Sequence, residues 1–344
     1  MLFTRRQALS LAAAPSLKTP RRPNVVMFMT DDHGAWATGA YGCREIETPA
    51  IDGLARGGVR FRNAFACTPV CSPSRMTYMT GVLPSSHGVQ DYLVPEDSFG
   101  PSARRWLEGH RTYTELLARN GYRLGMCGKW HMGEDDRAQA GFSYWATVPG
   151  GGGAYRDPTF VHNGERKKLA GFKTDLVGDF AIDFLNQQKR GQPFYLLVPF
   201  YAPHTPYDYQ PEAYRRPYAD SKFACFPDAP ASPWQNPALA RMHGKRDPKL
   251  AYSALITAAD HNAGRIVKRL EELGLREDTL VIFTADQGWN AGHHGVWGKG
   301  NGTFPQNMYD TSVKVPFLAA HAGTIPPGVV APGLFSHYDL LPTL

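Results

Sequence analysis

Long apolar runs are scarce in this chain of 344 residues, and beyond its first fourteen positions none approaches the roughly 20 residues that a membrane-spanning helix needs. Basic runs are missing as well. The formal net charge of +6 arises from 37 basic and 31 acidic residues that are interspersed along the chain. No basic stripe, recognition helix or zinc finger is present, which excludes the usual nucleic-acid-binding modules. Cysteine is sparse and odd in number: of Cys43, Cys67, Cys71, Cys127 and Cys225, at least one has no internal partner, and no spacing among them suits zinc. The plain reading of these residues is buried thiols. Internal repeats are also absent. Glycine and proline, by contrast, are abundant at 35 and 28 residues, so much of the chain is predicted to be loop. That composition suits a site built from loops on a rigid scaffold, and a mildly basic surface suits an anionic substrate.

The N-terminus has the layout of an export signal. Arg5-Arg6 precede Gln7-Ala8-Leu9-Ser10-Leu11-Ala12-Ala13-Ala14, a short apolar stretch behind a positive start. Thr4-Arg5-Arg6 resembles the twin-arginine signal, which sends folded proteins across a membrane. Residues 1–22 are therefore expected to be an export signal, with a disordered arm as the alternative. The expected location is the periplasm or the outside of the cell.

Beyond this arm, strands alternate with amphipathic helices. Residues 24–30 are apolar at nearly every position, as befits a strand covered on both faces, and they end at Asp31-Asp32-His33-Gly34. Residues 194–199 and 279–284 read as further strands, the latter ending at Asp286-Gln287-Gly288. Residues 315–319 carry Pro316, which predicts an edge strand or a strand beginning. Helices are predicted over 114–120, 175–188 and 252–273, the first and last followed by glycine. The fold class is α/β, a sandwich with a central sheet between helices. Residues 199–248, rich in proline and aromatics, are expected to form a long irregular excursion over the site.

Ligands of open α/β sheets sit beyond the carboxyl ends of the strands, and here two such ends carry acids. Adjacent Asp31 and Asp32 repel each other unless a cation neutralises them, and convergence with Asp286 favours a hard divalent ion. On composition alone, ordinary turn and salt-bridge roles stand as an equal reading. Between these ends lies Cys71-Ser72-Pro73-Ser74-Arg75. Ser72-Pro73 suits the first turn of a helix whose free backbone donors favour an anion, with Arg75 one turn further on. Both effects lower the pKa of Cys71. A buried inert cysteine is the alternative.

The segment Cys71-Ser72-Pro73-Ser74-Arg75, with Thr80-Gly81 behind it, resembles the C-x-P-S-R signature of type I sulfatases. Asp31-Asp32, Lys129-Trp130-His131-Met132-Gly133, Ala202-Pro203-His204-Thr205-Pro206, Asp286-Gln287-Gly288 and Gly295-Val296-Trp297-Gly298-Lys299 resemble further elements of that family, in its order. The resemblance covers about residues 23 to 344 and implies an alkaline phosphatase-like sandwich with a large, mostly parallel sheet. It implies that Cys71 becomes formylglycine, made by a dedicated maturation enzyme, and that its hydrated form is the nucleophile. Asp31, Asp32, Asp286 and Gln287 would bind Ca2+, or Mg2+, with modified Cys71 completing the shell. Gln287 departs from the asparagine or histidine common there, yet still offers an oxygen. Arg75 would orient the nucleophile loop, and Lys129 and His131 would contact the formylglycine diol. Lys129, His204 and Lys299 would neutralise sulfate oxygens. His294 aligns with the histidine of a G-E-H-G element and is expected behind these ligands, whereas His293 replaces an acid.

The implied substrate is a sulfate ester, carried by a sulfated carbohydrate or small molecule. A phosphodiester or phosphonate monoester hydrolase of the same superfamily is one alternative, and a non-catalytic sulfated-glycan-binding relative is another. Residues 336–344 read as a helix beginning whose apolar stripe, Leu340, Leu341 and Leu344, normally continues. The resemblance therefore implies that residues 23–344 lack a small C-terminal subdomain and are unstable or poorly active as they stand; a compact variant is the alternative.

Overall fold

The structure is a computed structural model that describes residues 22–189 and 191–344. The expected export signal lies outside the described residues, apart from its last position. At the centre of the fold is β1, Asn24–Thr30, buried along its whole length. Its pleat sends Val26 and Phe28 into one hydrophobic cluster and Val25, Met27 and Met29 into another, so both faces of the sheet are covered.

The remaining strands, in chain order, are β2 (Val59–Phe65), β3 (Arg123–Lys129), β4 (Tyr144–Val148), β5 (Thr159–His162), β6 (Glu165–Lys168), β7 (Phe194–Pro199), β8 (Thr279–Ala285), β9 (Asn290–Ala291), β10 (Trp297–Gly298), β11 (Phe317–Ala320) and β12 (Val329–Ser336). Ten of them form one sheet in the order β12-β2-β11-β8-β1-β7-β3-β4-β5-β6, while β9 and β10 make a small separate ladder. The run from β8 to β4 is parallel throughout. Among the described residues of this sheet, antiparallel pairing enters only through β11 and through β5 and β6. The outermost strand β6, Glu-Arg-Lys-Lys, is exposed and charged, which discourages edge-to-edge pairing.

Helices α1 (Pro49–Arg56), α4 (Lys173–Asn186) and α5 (Arg246–Glu272) cover one face with Ile51, Val177 and Leu255. Helices α2 (Cys71–Thr80) and α3 (Tyr113–Arg119) cover the other with Met76, Met79 and Leu117. Pro316 precedes β11, so the strand-beginning reading holds. β11 sits between β2 and β8, however, and is not an edge. The 199–248 excursion contains short helices, among them Glu212–Arg215 and Pro237–Ala240, until α5 begins at Arg246. Because β1, β3, β7 and β8 run parallel, the residues after them all emerge at one end of the sheet.

Beyond β12 the chain turns at His337, whose buried imidazole meets Ser74 Oγ at 3.2 Å. Burial holds His337 down to about 4, against a hydrogen bond to the Ala285 carbonyl and with repulsion from Arg75. Burial likewise holds His33 down to about 4. An imidazole depressed below its unfolded value contributes stability that is complete above about pH 6.5 and is lost as pH falls toward the folded value. Each such group sets a slope of about 1.4 kcal/mol per pH unit within that window. Buried carboxyls raised by burial, such as Asp286, slope the other way, so the histidine share is read against a variant: the parent is expected to lose a few degrees more between about pH 7 and pH 5 than His337→Asn. Thermal melts of both proteins check this, and parallel profiles would mean that His337 is protonated without cost to the fold.

Candidate active site

The acidic residues meet because the β1–β8 register pairs Thr30 with Ala285, so Asp31 and Asp286 leave the sheet side by side. Asp32 turns away at φ 68°, a left-handed conformation that costs about 1–3 kcal/mol and must be held by its surroundings. Two bonds hold it: Tyr252 donates to the Asp32 carbonyl at 2.9 Å, and the Asp32 amide donates to Asp286 Oδ1 at 3.3 Å. The Gln287 amide donates to the same Oδ1 at 2.9 Å.

Helix α2 aims its N-terminus at these carboxylates. Cys71 is its first residue, and Pro73 lies in the first turn, where a missing N–H costs nothing. Gly81 closes the helix in the left-handed conformation, and every residue of α2 is buried. Arg75, one turn in, is fully buried and fully used. Its Nε and Nη2 donate to Asp286 Oδ2 at 2.9 and 2.7 Å, and its Nη1 donates to the Lys129 carbonyl at 2.7 Å. Ser74 Oγ donates to the Asp286 carbonyl.

Two lysines close the pocket. Lys129 is the last residue of β3 and pairs with Asp31 Oδ2. Its neighbour Gly128 has φ +136°, and a Cβ there would sit 2.1 Å from the Pro199 carbonyl oxygen, so only glycine lets β3 end beside β7 in this way. Lys299 follows β10 and places Nζ 2.7 Å from both Cys71 Sγ and Asp32 Oδ1. His204, in the loop after β7, brings Nε2 to 3.7 Å from Asp32 Oδ2. His131 stands at φ 57°, with Nε2 2.9 Å from the Leu93 carbonyl and its other nitrogen buried without a partner.

Charge is unevenly balanced here. Burial and Asp31 resist ionisation of the Cys71 thiol, but Lys129, Lys299 and the neighbouring His131 outweigh them and hold its pKa well below the ordinary thiol value. For Asp31, burial is outweighed by Lys129, His204, Lys299 and Arg75, and the carboxyl is drawn down. Asp32 is pushed up, chiefly by burial, despite Lys299 and His204. Burial and Asp31 push Asp286 up to about 7 against the pull of Arg75. Burial lowers His131, which Lys129 reinforces, whereas Asp32 and Asp31 raise His204 against burial.

Three buried carboxylates thus face three cations, Arg75, Lys129 and Lys299, yet burial still drives two of them toward the protonated form. Asp32 Oδ2 and Gln287 Oε1 are buried without a hydrogen-bond partner. The Gln287 Nε2 group donates to Asp31 Oδ1 at 3.1 Å and to Asp32 Oδ1 at 2.7 Å, so this side chain already bridges the pair. Three clustered carboxylates and an amide oxygen, with two acceptors orphaned, fit a hard divalent cation. Ligand atoms of Asp31, Cys71 and His204 also lie within 4.8 Å of one another.

The structure therefore brings Asp31, Asp32, Cys71, Arg75, Lys129, His131, His204, Asp286, Gln287 and Lys299 to one end of the sheet. His294 is different: it is exposed and stacks on Tyr309 at 4.1 Å, with no contact to the carboxylates. Its turn at φ 56° swings the ring outward, which corrects its expected place behind the ligands. His293 packs against Trp36 at 4.6 Å. Sequence reasoning missed Tyr201, whose ring carries His204 at 4.9 Å, Lys129 at 5.3 Å and Lys173 at 4.0 Å. An aromatic residue just before Ala202-Pro203-His204 was the available signal. Lys173 is buried, donates to the Gly152 and Gly153 carbonyls, and had no signal at all.

Comparison with known proteins is consistent with this geometry. The family model described as Sulfatase matches residues 23–344. An N-acetylglucosamine-6-O-sulfatase of Bacteroides thetaiotaomicron is 26% identical over 98% of this chain and 70% of its own length. An ulvan-active sulfatase of Formosa agariphila is 28% identical over 94% of this chain and 61% of its own length. Among solved structures, a protein in complex with its substrate D-glucosamine-2-N,6-O-disulfate superposes with a TM-score of 0.78 at 24% identity, covering 94% of this chain and 76% of that one. The chain thus spans about two thirds of the length of the curated relatives it matches.

Proposed function

The chain belongs to the sulfatase family, and from that premise we propose that it hydrolyses a sulfate ester of a carbohydrate to the alcohol and inorganic sulfate. The observation that carries this reading is Cys71 Sγ at the start of α2, 2.7 Å from Lys299 Nζ and facing Asp31, Asp32, Asp286 and Gln287. Asp31, Asp32, Asp286 and Gln287 would hold the divalent cation, Ca2+ before Mg2+. Formylglycine formed from Cys71 would supply a nucleophilic hydroxyl, and the cation would draw charge from the sulfuryl oxygens.

The chain's own side chains supply the rest. Lys129, Lys299 and His204 form a cationic rim that binds the anionic group and offsets charge developing on its oxygens. His204, raised by Asp32 and Asp31, carries a proton suited to the departing alcohol. His131, held neutral by burial, is suited to accept one beside position 71. Arg75 orders the loop from both sides by gripping Asp286 and the Lys129 carbonyl. The aromatic 199–248 excursion offers ring faces for a sugar, and the names of the two curated relatives favour a sulfated glycan.

This reading includes maturation by a formylglycine-generating enzyme and passage through an export machinery, by the twin-arginine route, to the periplasm or the exterior. The test is parallel turnover of sulfated N-acetylhexosamines, an aryl sulfate and an aryl phosphodiester by the full chain made with its maturation enzyme. Sulfate release at least about 100-fold faster in kcat/KM than phosphodiester cleavage is the expected outcome, about 2.7 kcal/mol of discrimination. A preference for the phosphodiester would replace the reading with that activity. Glycan affinity without turnover would replace it with a binding role.

A further inference from the structure

Two cysteines far apart in sequence meet outside the reaction centre. Cys43 lies in the segment that runs on from Asp31-Asp32 through Trp36, and Cys225 lies in the 199–248 excursion. Both belong to one aromatic cluster with Tyr218, Phe223, Phe226 and Trp289. Each thiol is near enough to shift the ionisation of the other, Cys43 downward and Cys225 upward. The flanking residues lace the two segments together at three points. The Cys225 amide donates to Glu45 Oε2 at 2.6 Å, Ser221 Oγ donates to Glu45 Oε1 at 3.4 Å, and the Glu47 amide donates to Tyr218 Oη at 2.9 Å. Cys71 belongs to the site already described, Cys127 is sealed inside β3, and Cys67 faces Ser336.

We propose that Cys43 and Cys225 are an oxidisable pair that closes to a disulfide, clasping the excursion over the site to the segment that leads away from Asp31 and Asp32. The fold already sets up the pairing, because both cysteines pack in one cluster and the Glu45 and Glu47 contacts keep the two segments in register. The bond needs an oxidant, and a small-molecule disulfide such as oxidised glutathione serves. Cys43 Sγ, as thiolate, attacks one sulfur of that disulfide and releases the other as a thiolate. The Cys225 sulfur then displaces the remaining oxidant thiol from Cys43 and gives up its proton. Two protein thiols thereby become one S–S bond, and two electrons pass to the oxidant, reducing its disulfide to two thiols. The neighbouring Cys225 draws the Cys43 thiol below its ordinary value against burial, which favours Cys43 as the attacking thiolate. Cys225 is only half-buried, which leaves a way in for the oxidant.

The consequence is mechanical. Trp36 packs on Phe226 at 5.3 Å and on Tyr252 at 6.0 Å, and Tyr252 in turn holds the Asp32 carbonyl. A covalent clasp at Cys43–Cys225 therefore fastens the wall that supports Asp32, and closing so long a loop of chain restricts the unfolded state strongly.

The test uses the full chain after incubation with oxidised glutathione or with a phosphine reductant. It is followed by alkylation under denaturing conditions and non-reducing peptide mapping. Oxidised protein is expected to yield a Cys43–Cys225 linked peptide, to lose two alkylatable thiols, and to melt about 5 °C or more above the reduced form. Cys225→Ser and Cys43→Ala are expected to abolish both the link and the shift, and either variant suffices if the other does not fold. Separate alkylation of Cys43 and Cys225 after oxidation overturns the proposal. So does a link from either to Cys67, or an undiminished shift in a variant. The covalent readout stands apart from turnover, so the outcome does not depend on the proposed reaction.

Discussion

Cys71→Ala protein is expected to release sulfate at least about 10^4-fold more slowly than the parent while melting within about 3 °C of it. The asymmetry follows from where Cys71 sits. Position 71 lies at the mouth of α2 facing both lysines and the carboxylates, and the formylglycine proposed there carries the attacking hydroxyl, so removing it deletes the attacking group and leaves the binding rim in place. Loss of a nucleophile that acts with its partners as a unit costs most of the chemical step. The fold loses little, because Lys299 keeps its 2.7 Å contact with Asp32 and only the small group carried on Cβ of position 71 is vacated. Cys71→Ser is expected to be equally slow, since serine offers one hydroxyl and no aldehyde. Mass spectrometry of the parent should find an aldehyde at position 71 in proportion to activity. Full activity with intact cysteine, or a tenth of parental activity in Cys71→Ala, would dispose of the nucleophile assigned here.

Legibility in the sequence followed local chemistry. β1, β7 and β8 were readable because strands covered on both faces are apolar at nearly every position. β3 was not, although it ends on Lys129. Gly125 and Gly128 interrupt its pattern because Phe184 and the Pro199 carbonyl approach too closely for a Cβ. β12 was hidden by Pro332-Gly333, where its pairing with β2 shifts register. α5 begins six residues before the predicted start because Pro248 falls in its first turn, where proline is tolerated. The site was legible wherever short motifs carry it, from Asp31-Asp32 to Lys299. Its supports were not: Tyr201, Lys173 and Tyr252 act through ring faces and carbonyl contacts that only tertiary packing creates. His294 erred the other way, since its motif neighbours reach the site while its own turn points outward.

Arg75→Met is expected to destabilise the fold by about 3–5 kcal/mol, the cost of breaking a buried ion pair by removing one partner. Few side chains here are engaged at so many points: Arg75 has no exposed surface and serves Asp286 twice, the Lys129 carbonyl once and Asp31 at 3.5 Å. Methionine fills part of the volume but leaves Asp286 Oδ2 and the Lys129 carbonyl without a donor. Asp286 already sits at about 7 with the guanidinium beside it, raised by burial and by Asp31, and without Arg75 it moves higher. A carboxyl whose folded value lies above its unfolded value gives stability that declines as pH rises through the interval between them. In the variant that interval extends upward, so the defect should be larger near pH 8 than near pH 6, the reverse of the parental histidine trend. Adding Asp286→Asn should recover much of the loss, because an uncharged amide no longer needs the missing cation. Urea unfolding of the four proteins of this double-mutant cycle, at both pH values, measures the coupling. A single variant within about 1 kcal/mol of the parent, or a coupling near zero, would show that Arg75 is not the keystone between α2 and the carboxylates and that the loop is ordered by backbone contacts instead.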